Sequence, residues 1–227
     1  MYYLRDFVTK EKVNPTNMVF TGETTPWEVV MDLDDIKSKL NLEYFRQSPP
    51  SILKYLPLLP IKNQADFITL RESATPLSKA KKLGRSFGVD LMLKVEGKNP
   101  TGSFKDRGTA VEISVAKEMG AKAIILASTG NMAASCACYA SAAGIPCFIL
   151  VPEGVPPGKL SQVLAFGGHI VQVKGTYNDA ADLAYKIASE MGFYLAGDYA
   201  YRLEGAKTAA FEIIDQMLFQ VPDYLVV

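Results

Sequence analysis

A lysine set just after a strand and a tight turn is the first place where this chain offers chemistry. The segment Leu93-Lys94-Val95-Glu96-Gly97-Lys98-Asn99-Pro100-Thr101-Gly102-Ser103-Phe104-Lys105-Asp106-Arg107-Gly108 reads as strand, turn and helix start. Asn99-Pro100 and Thr101-Gly102 force the turn, and Ser103 is a good N-cap. Lys105 then falls in the first helical turn, where free N–H groups and the positive end of the helix dipole oppose a further positive charge. A neutral amine is what Schiff-base chemistry needs. On local sequence alone the opposite reading stays open: a solvated lysine with Asp106 and Arg107 as exposed neighbours. A phosphate-cradling P-loop does not fit, because Gly102 would have to be followed by Lys and then Ser or Thr, and the chain has Ser103-Phe104-Lys105.

A second segment, Ala127-Ser128-Thr129-Gly130-Asn131-Met132-Ala133-Ala134, has the same form: strand end, small-residue turn, helix N-terminus. Successive N–H groups in such a turn form a pocket for a carboxylate or phosphate. Taken singly, the segment reads equally as an ordinary turn capped by Ser128 or Thr129. Two such turns, ending strands that begin at Asp90 and Ala123, would share the carboxyl edge of a parallel sheet, where ligands bind in open α/β folds.

The elements that must position these turns follow from periodicity. From about Val89 the chain alternates strand and helix, the pattern of a parallel sheet wrapped on both faces. Strands are expected at Asp90–Val95, Ala123–Ala127, Cys147–Val151, Ile170–Val173, Phe193–Ala196 and Tyr224–Val227. Helical spacing is clear in Ala180, Leu183, Ala184, Ile187, Ala188 and Met191, and in Ala206, Ala209, Ala210, Ile213 and Met217, faces expected to pack on the sheet. Asn131–Ala143 is a helix of small residues, suited to a buried place. The first sixty residues mix aromatics, prolines and charges around an amphipathic stretch, Asp32–Phe45, and read as an extension on the main body. The division is therefore residues 1–60 as N-terminal extension and 61–227 as the main body.

Composition narrows the function. With 48% hydrophobic and 21% charged residues, the chain can bury a sizeable core. Its 24 basic and 24 acidic residues cancel, which leaves no global field for nucleic acid or an anionic membrane. No apolar run approaches the roughly 20 residues of a membrane span, and Met1–Lys10 lacks the apolar stretch of a secretory signal; a cytoplasmic location is expected. Cys136, Cys138 and Cys147 are an odd set in an apolar stretch, read as small buried side chains and not as disulfides. His169, the only histidine, opens a strand in Gly-Gly-His-Ile-Val-Gln-Val, so neither a metal site nor a Ser-His-Asp arrangement is expected.

Asn99-Pro100-Thr101-Gly102-Ser103-Phe104-Lys105-Asp106-Arg107-Gly108 together with Ser128-Thr129-Gly130-Asn131 resembles the fold-type II pyridoxal-phosphate enzymes, and the wider match is to the threonine synthase family. Ser48-Pro49-Pro50-Ser51, Ala74-Thr75-Pro76-Leu77, Pro157-Gly158-Lys159-Leu160-Ser161-Gln162 and Tyr201-Arg202-Leu203-Glu204-Gly205-Ala206-Lys207-Thr208 extend the resemblance along nearly the whole chain. It implies doubly wound parallel sheets in two domains, with 61–227 as the catalytic region, incomplete at its end, a smaller domain at about 110–200 and the remainder in a larger one, and pyridoxal 5'-phosphate as cofactor. Lys105 would carry the cofactor as a Schiff base and move protons at the substrate's Cα and Cβ. Asn131 would bond the cofactor's phenolic oxygen, with Phe104 beside it. Ser128, Thr129, Gly130, Asn131 and Met132 would hold the substrate carboxylate, with Thr129 near the reacting carbons, and Arg202 would face the phosphate of O-phosphohomoserine. The implied reaction replaces that γ-phosphate and adds water at Cβ to give threonine, in an enzyme that could be a homodimer when complete. Cysteate synthesis and threonine dehydration, on related substrates, are the neighbouring activities; an inactive anion-binding fragment is the non-enzymatic alternative.

The chain departs from the family pattern at Met132, where many members have threonine, and at Ala196-Gly197, where they have Asn-Ser. It ends at Val227, in or just after an expected strand, ahead of the glycine-rich loop that the resemblance leads one to expect. The expectation is therefore a truncated portion of a longer enzyme, or one completed by another chain, and poorly active alone.

Overall fold

The computed structural model describes residues 2–15, 18–22 and 25–227. It opens with a small antiparallel sheet, β1 (Tyr2–Asp6), β2 (Lys12–Val13) and β3 (Trp27–Met31), in the order β2-β1-β3. Two short helices follow, α1 (Leu33–Lys39) and α2 (Leu42–Gln47), each capped by a side chain: Asp32 accepts from the Asp35 N–H and Asn41 from the Tyr44 N–H. Leu4, Phe20, Val29, Ile52 and Leu56 enter the same apolar core as the later helices, so this region lies against the body of the molecule.

Next come β4 (Leu77–Lys79), α3 (Lys81–Phe87) and β5 (Met92–Lys94). The strand expected at Asp90–Val95 is thus shorter and does not join the parallel sheet; it pairs antiparallel with β4 alone. A parallel strand is buried on both faces, whereas β5 is half exposed and carries Lys94, which is committed to an ion pair with Glu212.

The parallel sheet is built by β6 (Ile124–Ala127), α5 (Asn131–Ala143), β7 (Cys147–Pro152), α6 (Pro157–Ala165), β8 (His169–Val173), α7 (Tyr177–Met191) and β9 (Tyr194–Leu195), with strand order β8-β7-β6-β9. Alternation along the strands divides the core. Ile124, Leu126, Ile149 and Val151 face α5 and α6, and Ile125, Ala127, Leu150 and Leu195 face Ala180, Ala184 and Ala188 of α7. The alanine face of α7 lets the helix lie close to the sheet, and Thr176 and Asp179 cap its start reciprocally.

Two further helices, α4 (Lys105–Glu118) and α8 (Ala200–Gln216), pack against each other, and α4 packs on α5. Asp106 through Ala116 of α4 are all buried. The apolar face expected for α8 is not the one it buries. Ala210 is exposed, and the inward residues include Arg202, Glu204, Thr208 and Glu212. Arg202 and Glu212 are matched by Glu112 and Arg107 on α4, and Glu204 by Lys207 of α8 itself, so burial here follows pairing and not hydropathy. The expected strand at Tyr224–Val227 is absent: these residues are exposed, and with no pairing partner they form no ladder.

Candidate active site

The chain moves from β6 to β7 to β8 in one direction, then returns to place β9 on the far side of β6. The order therefore reverses between β6 and β9, with α5 on one face and α7 on the other. Such a switch point opens a crevice at the carboxyl ends of the two strands. Here the crevice is a cleft of about 570 Å³, within the roughly 300–1,000 Å³ of small-ligand sites. Ser128, Asn131 and Met132 enter it from the turn after β6, Ala196–Tyr199 from the loop after β9, and Ser103, Phe104 and Lys105 from the start of α4.

Lys105 is held from behind. Asp106 accepts hydrogen bonds from the Thr101 N–H at 2.7 Å, the Thr101 hydroxyl at 2.6 Å and the Ser135 hydroxyl at 2.7 Å, tying the turn before the lysine to α5. Arg107 meets both oxygens of Glu96 at 2.7 and 2.8 Å. Against the cost of burial, these and neighbouring bonds hold the Glu96 carboxyl below its ordinary range. Asp106 and Arg107 are both fully buried, so the reading of this segment as a solvated helix start is overturned. Gly102 supplies the turn with a φ of 79°. The helix begins one residue later than Ser103 suggests: Phe104 occupies the cap position, and the Ser103 hydroxyl accepts from the Lys105 N–H at 3.2 Å. The Lys105 ammonium lies 5.1 Å from the Phe104 ring centre and donates to both oxygens of Asp198, at 2.9 and 3.1 Å.

The turn after β6 has no side-chain cap on its helix; Gly130 stands at the cap position. The first N–H groups of α5 therefore have no intrahelical acceptor, and Asn131 and Met132 at that terminus line the cleft. Thr129 and Gly130 complete the turn between Ser128 and Asn131. Across the crevice the Tyr177 hydroxyl donates to the Ala127 carbonyl at 3.1 Å, holding the end of β6 to the start of α7. Tyr177 escaped the motif-based reading, although the Thr176-x-x-Asp179 cap places it at the first position of a helix following a parallel strand.

Residues 68–227 match the family described as "Pyridoxal-phosphate dependent enzyme". The chain belongs to this family. It is similar to the threonine synthase of Methanocaldococcus jannaschii, 42% identical over 203 residues that cover 88% of this chain and 50% of that one. It is also similar to the threonine synthase of Methanosarcina acetivorans, 41% identical over 231 residues covering 100% of this chain and 56% of the other. The chain thus spans about half the length of the curated relatives it matches. Among solved structures, the processed form of threonine deaminase isoform 2 from Solanum lycopersicum superposes with a TM-score of 0.61 at 26% identity, over 91% of this chain and 54% of that one. The α/β fold with its parallel sheet is therefore that of fold-type II pyridoxal-phosphate enzymes.

The cleft suits the family's cofactor. It offers a primary amine for an aldehyde at Lys105, an amide donor at Asn131, an aromatic face at Phe104, and apolar walls at Ala127, Met132, Ala184 and Leu195. Arg202, expected to face a substrate phosphate, stands elsewhere: it is 2% exposed and lies one residue behind the cleft wall. Its guanidinium donates to the Gly197 carbonyl at 3.0 Å and the Thr109 hydroxyl at 2.9 Å and pairs with Glu112. A buried guanidinium needs a carboxylate partner, and α4 supplies it. Burial pushes the Glu112 carboxyl up while Arg202 pulls it back, and burial pushes the neighbouring Cys136 thiol up to about 12. All three cysteines are free; Cys136 and Cys147 are buried and Cys138 partly so. His169 stacks on Phe148 at 5.2 Å, at the amino end of β8 and away from the cleft. No group of acidic, histidine or cysteine side chains suited to a metal ion occurs among the described residues, and none of their helices is long and apolar enough to cross a membrane.

Proposed function

We propose that this chain contributes the cofactor lysine and the carboxylate-binding turn of a threonine synthase-like lyase, which converts O-phospho-L-homoserine and water to L-threonine and phosphate. The observation that carries the proposal is the meeting of Lys105, Asn131 and the Ser128–Met132 turn at one switch-point cleft, in a chain 41–42% identical to threonine synthases. When bound, pyridoxal phosphate supplies an electron sink for negative charge at the substrate's Cα.

The chain's own groups divide the remaining work. Lys105 holds the cofactor and, once released, carries protons at Cα and Cβ. Asn131 would donate to the cofactor's phenolic oxygen, and Phe104 would lie beside the cofactor. The N–H groups of Ser128 to Met132 bind the substrate carboxylate, with Thr129 closest to the reacting carbons. Arg202 acts through Gly197, fixing the loop that forms the β9 wall. The substrate is a small amino acid; a homodimeric, cytoplasmic complete enzyme, and the division at residue 60 with a smaller domain at about 110–200, belong to the same proposal.

The test is an absorbance scan of the chain with added pyridoxal phosphate beside Lys105→Ala, followed by phosphate release from O-phosphohomoserine against O-phosphoserine, with threonine tested for dehydration. The expected result is a long-wavelength band lost in the variant, with turnover that is slow in this chain but higher on O-phosphohomoserine than on the others. A band that survives in Lys105→Ala would remove Lys105 from its role. Preference for O-phosphoserine or threonine would replace the reaction while keeping the cofactor site.

A further inference from the structure

Lys105 and Asp198 are 93 residues apart and come from opposite walls of the cleft, α4 and the loop after β9, yet their side chains meet in a two-pronged contact of 2.9 and 3.1 Å. Among the described residues no other cation lines the cleft. The Asp198 side chain is 61% exposed and accepts from no other donor among the described residues, whereas the Lys105 side chain is 23% exposed. Asp198 thus contributes little to the core, and its carboxylate is turned to the one amine the cleft presents.

We propose that Asp198 is the positioning residue of Lys105: its carboxylate holds the ε-ammonium across the cleft and must be displaced before Lys105 reacts with an aldehyde. In that reaction Asp198 releases the ammonium, which gives up a proton to solvent, the nitrogen bonds to the carbonyl carbon, and the carbonyl oxygen leaves as water; nothing is oxidised or reduced. The contact therefore slows capture of an aldehyde and orients the amine when no aldehyde is present. Because the pair is partly open to solvent, dissolved ions weaken it. The inference rests on the reading of Lys105 as the cofactor lysine only for its biological meaning; the contact itself is testable without the cofactor.

The experiment is reductive methylation with formaldehyde as aldehyde and cyanoborohydride as hydride donor, read at Lys105 by peptide mass spectrometry, with exposed Lys122 and Lys174 as references in the same digest. Wild type, Asp198→Asn and Asp198→Glu are compared at low and high salt. Lys105 is expected to label about two- to fivefold faster in Asp198→Asn, the span of a partly exposed ion pair. Wild type should accelerate with salt relative to the reference lysines, Asp198→Asn should not, and Asp198→Glu should behave as wild type. An unchanged or slower rate in Asp198→Asn, with an unchanged salt response, overturns the proposal. A parallel scan with pyridoxal phosphate and Lys105→Ala separates the two ideas. A cofactor band persisting in Lys105→Ala, together with the predicted labelling, sinks the cofactor role and keeps the ion pair. A band lost there, with unaltered labelling in Asp198→Asn, does the reverse.

Discussion

Gly205 of α8 lies against the backbone of Arg107 and Gly108 on α4 with no room for a methyl group: a Cβ there would stand 2.8 Å from the Gly108 Cα and 2.9 Å from the Arg107 carbonyl carbon. Gly108 is equally confined, its Cβ falling 2.7 Å from Arg202 Cγ. The close approach lets each helix give an arginine to the other's glutamate, Arg107 to Glu212 and Arg202 to Glu112. Since α4 carries Lys105 at its first turn, this contact sets where the lysine meets the cleft.

Gly205→Ala is therefore expected to destabilise the chain by about 1–3 kcal/mol through overpacking. Helix propensity alone would favour alanine by about 1 kcal/mol, so the sign of the shift in the urea midpoint decides whether the close approach exists. A stabilised variant would contradict it.

Removing Glu212 should cost far more than removing a surface carboxylate. Glu212 takes Arg107 at 2.8 Å and Lys94 at 2.5 Å and also accepts from the Ala74 N–H. Glu212→Ala leaves a fully buried guanidinium short of charge, for which about 3–5 kcal/mol is expected. Glu28→Ala, which breaks the partly exposed pairs with Arg5 and Lys10, should cost about 0–1 kcal/mol. Equal losses in chemical denaturation would argue against the buried pair.

Glu72 gives a pH signature. It is 1% exposed; one oxygen accepts from the Tyr139 hydroxyl at 2.7 Å and the Leu70 N–H at 2.9 Å, while the other has no hydrogen-bond partner among the described residues. Burial raises its carboxyl above the ordinary value, more than the Tyr139 bond lowers it. The protonated form is thus favoured by folding, so its stabilisation is complete below the unfolded carboxylate range and is lost as pH rises through the raised folded value. Glu72→Gln, which cannot ionise, should gain stability relative to wild type as pH increases from about 4 to about 8. Denaturation midpoints whose difference stays constant over that range would refute this.

Asp106→Asn replaces one acceptor oxygen by a donor facing Thr101 and Ser135. A loss of about 1–3 kcal/mol is expected for the buried groups left unpaired. Hydrogen exchange should also quicken in residues 99–105, because the turn ahead of Lys105 loses its anchor; protection equal to wild type would show that the turn is held by other contacts.

Where local chemistry decides structure, the sequence sufficed. The helix Asn131–Ala143 has the bounds its small-residue run predicts, Ile124–Ala127 and Cys147–Pro152 follow their apolar runs, and the turn Asn99–Gly102 places Lys105 in a first helical turn. Such features depend on neighbours a few residues away. Tertiary structure alone decided the rest. A charged side chain reads as exposed until its partner is known: Glu212, the second carboxylate on Arg107, lies 105 residues away along the chain, and the partners of Arg202 and Lys105 lie 90 and 93 residues away. The polar face that α8 buries, the retreat of Arg202 from the cleft and the arrival of Asp198 in it all follow from those distant pairings. So does the place of β5: a strand acquires its sheet only through its partner, and the run Asp90–Val95 contains nothing that distinguishes β4 from β6. The cleft itself exists because β9 returns to the far side of β6, a reversal of strand order set by how the helices distribute between the two faces of the sheet.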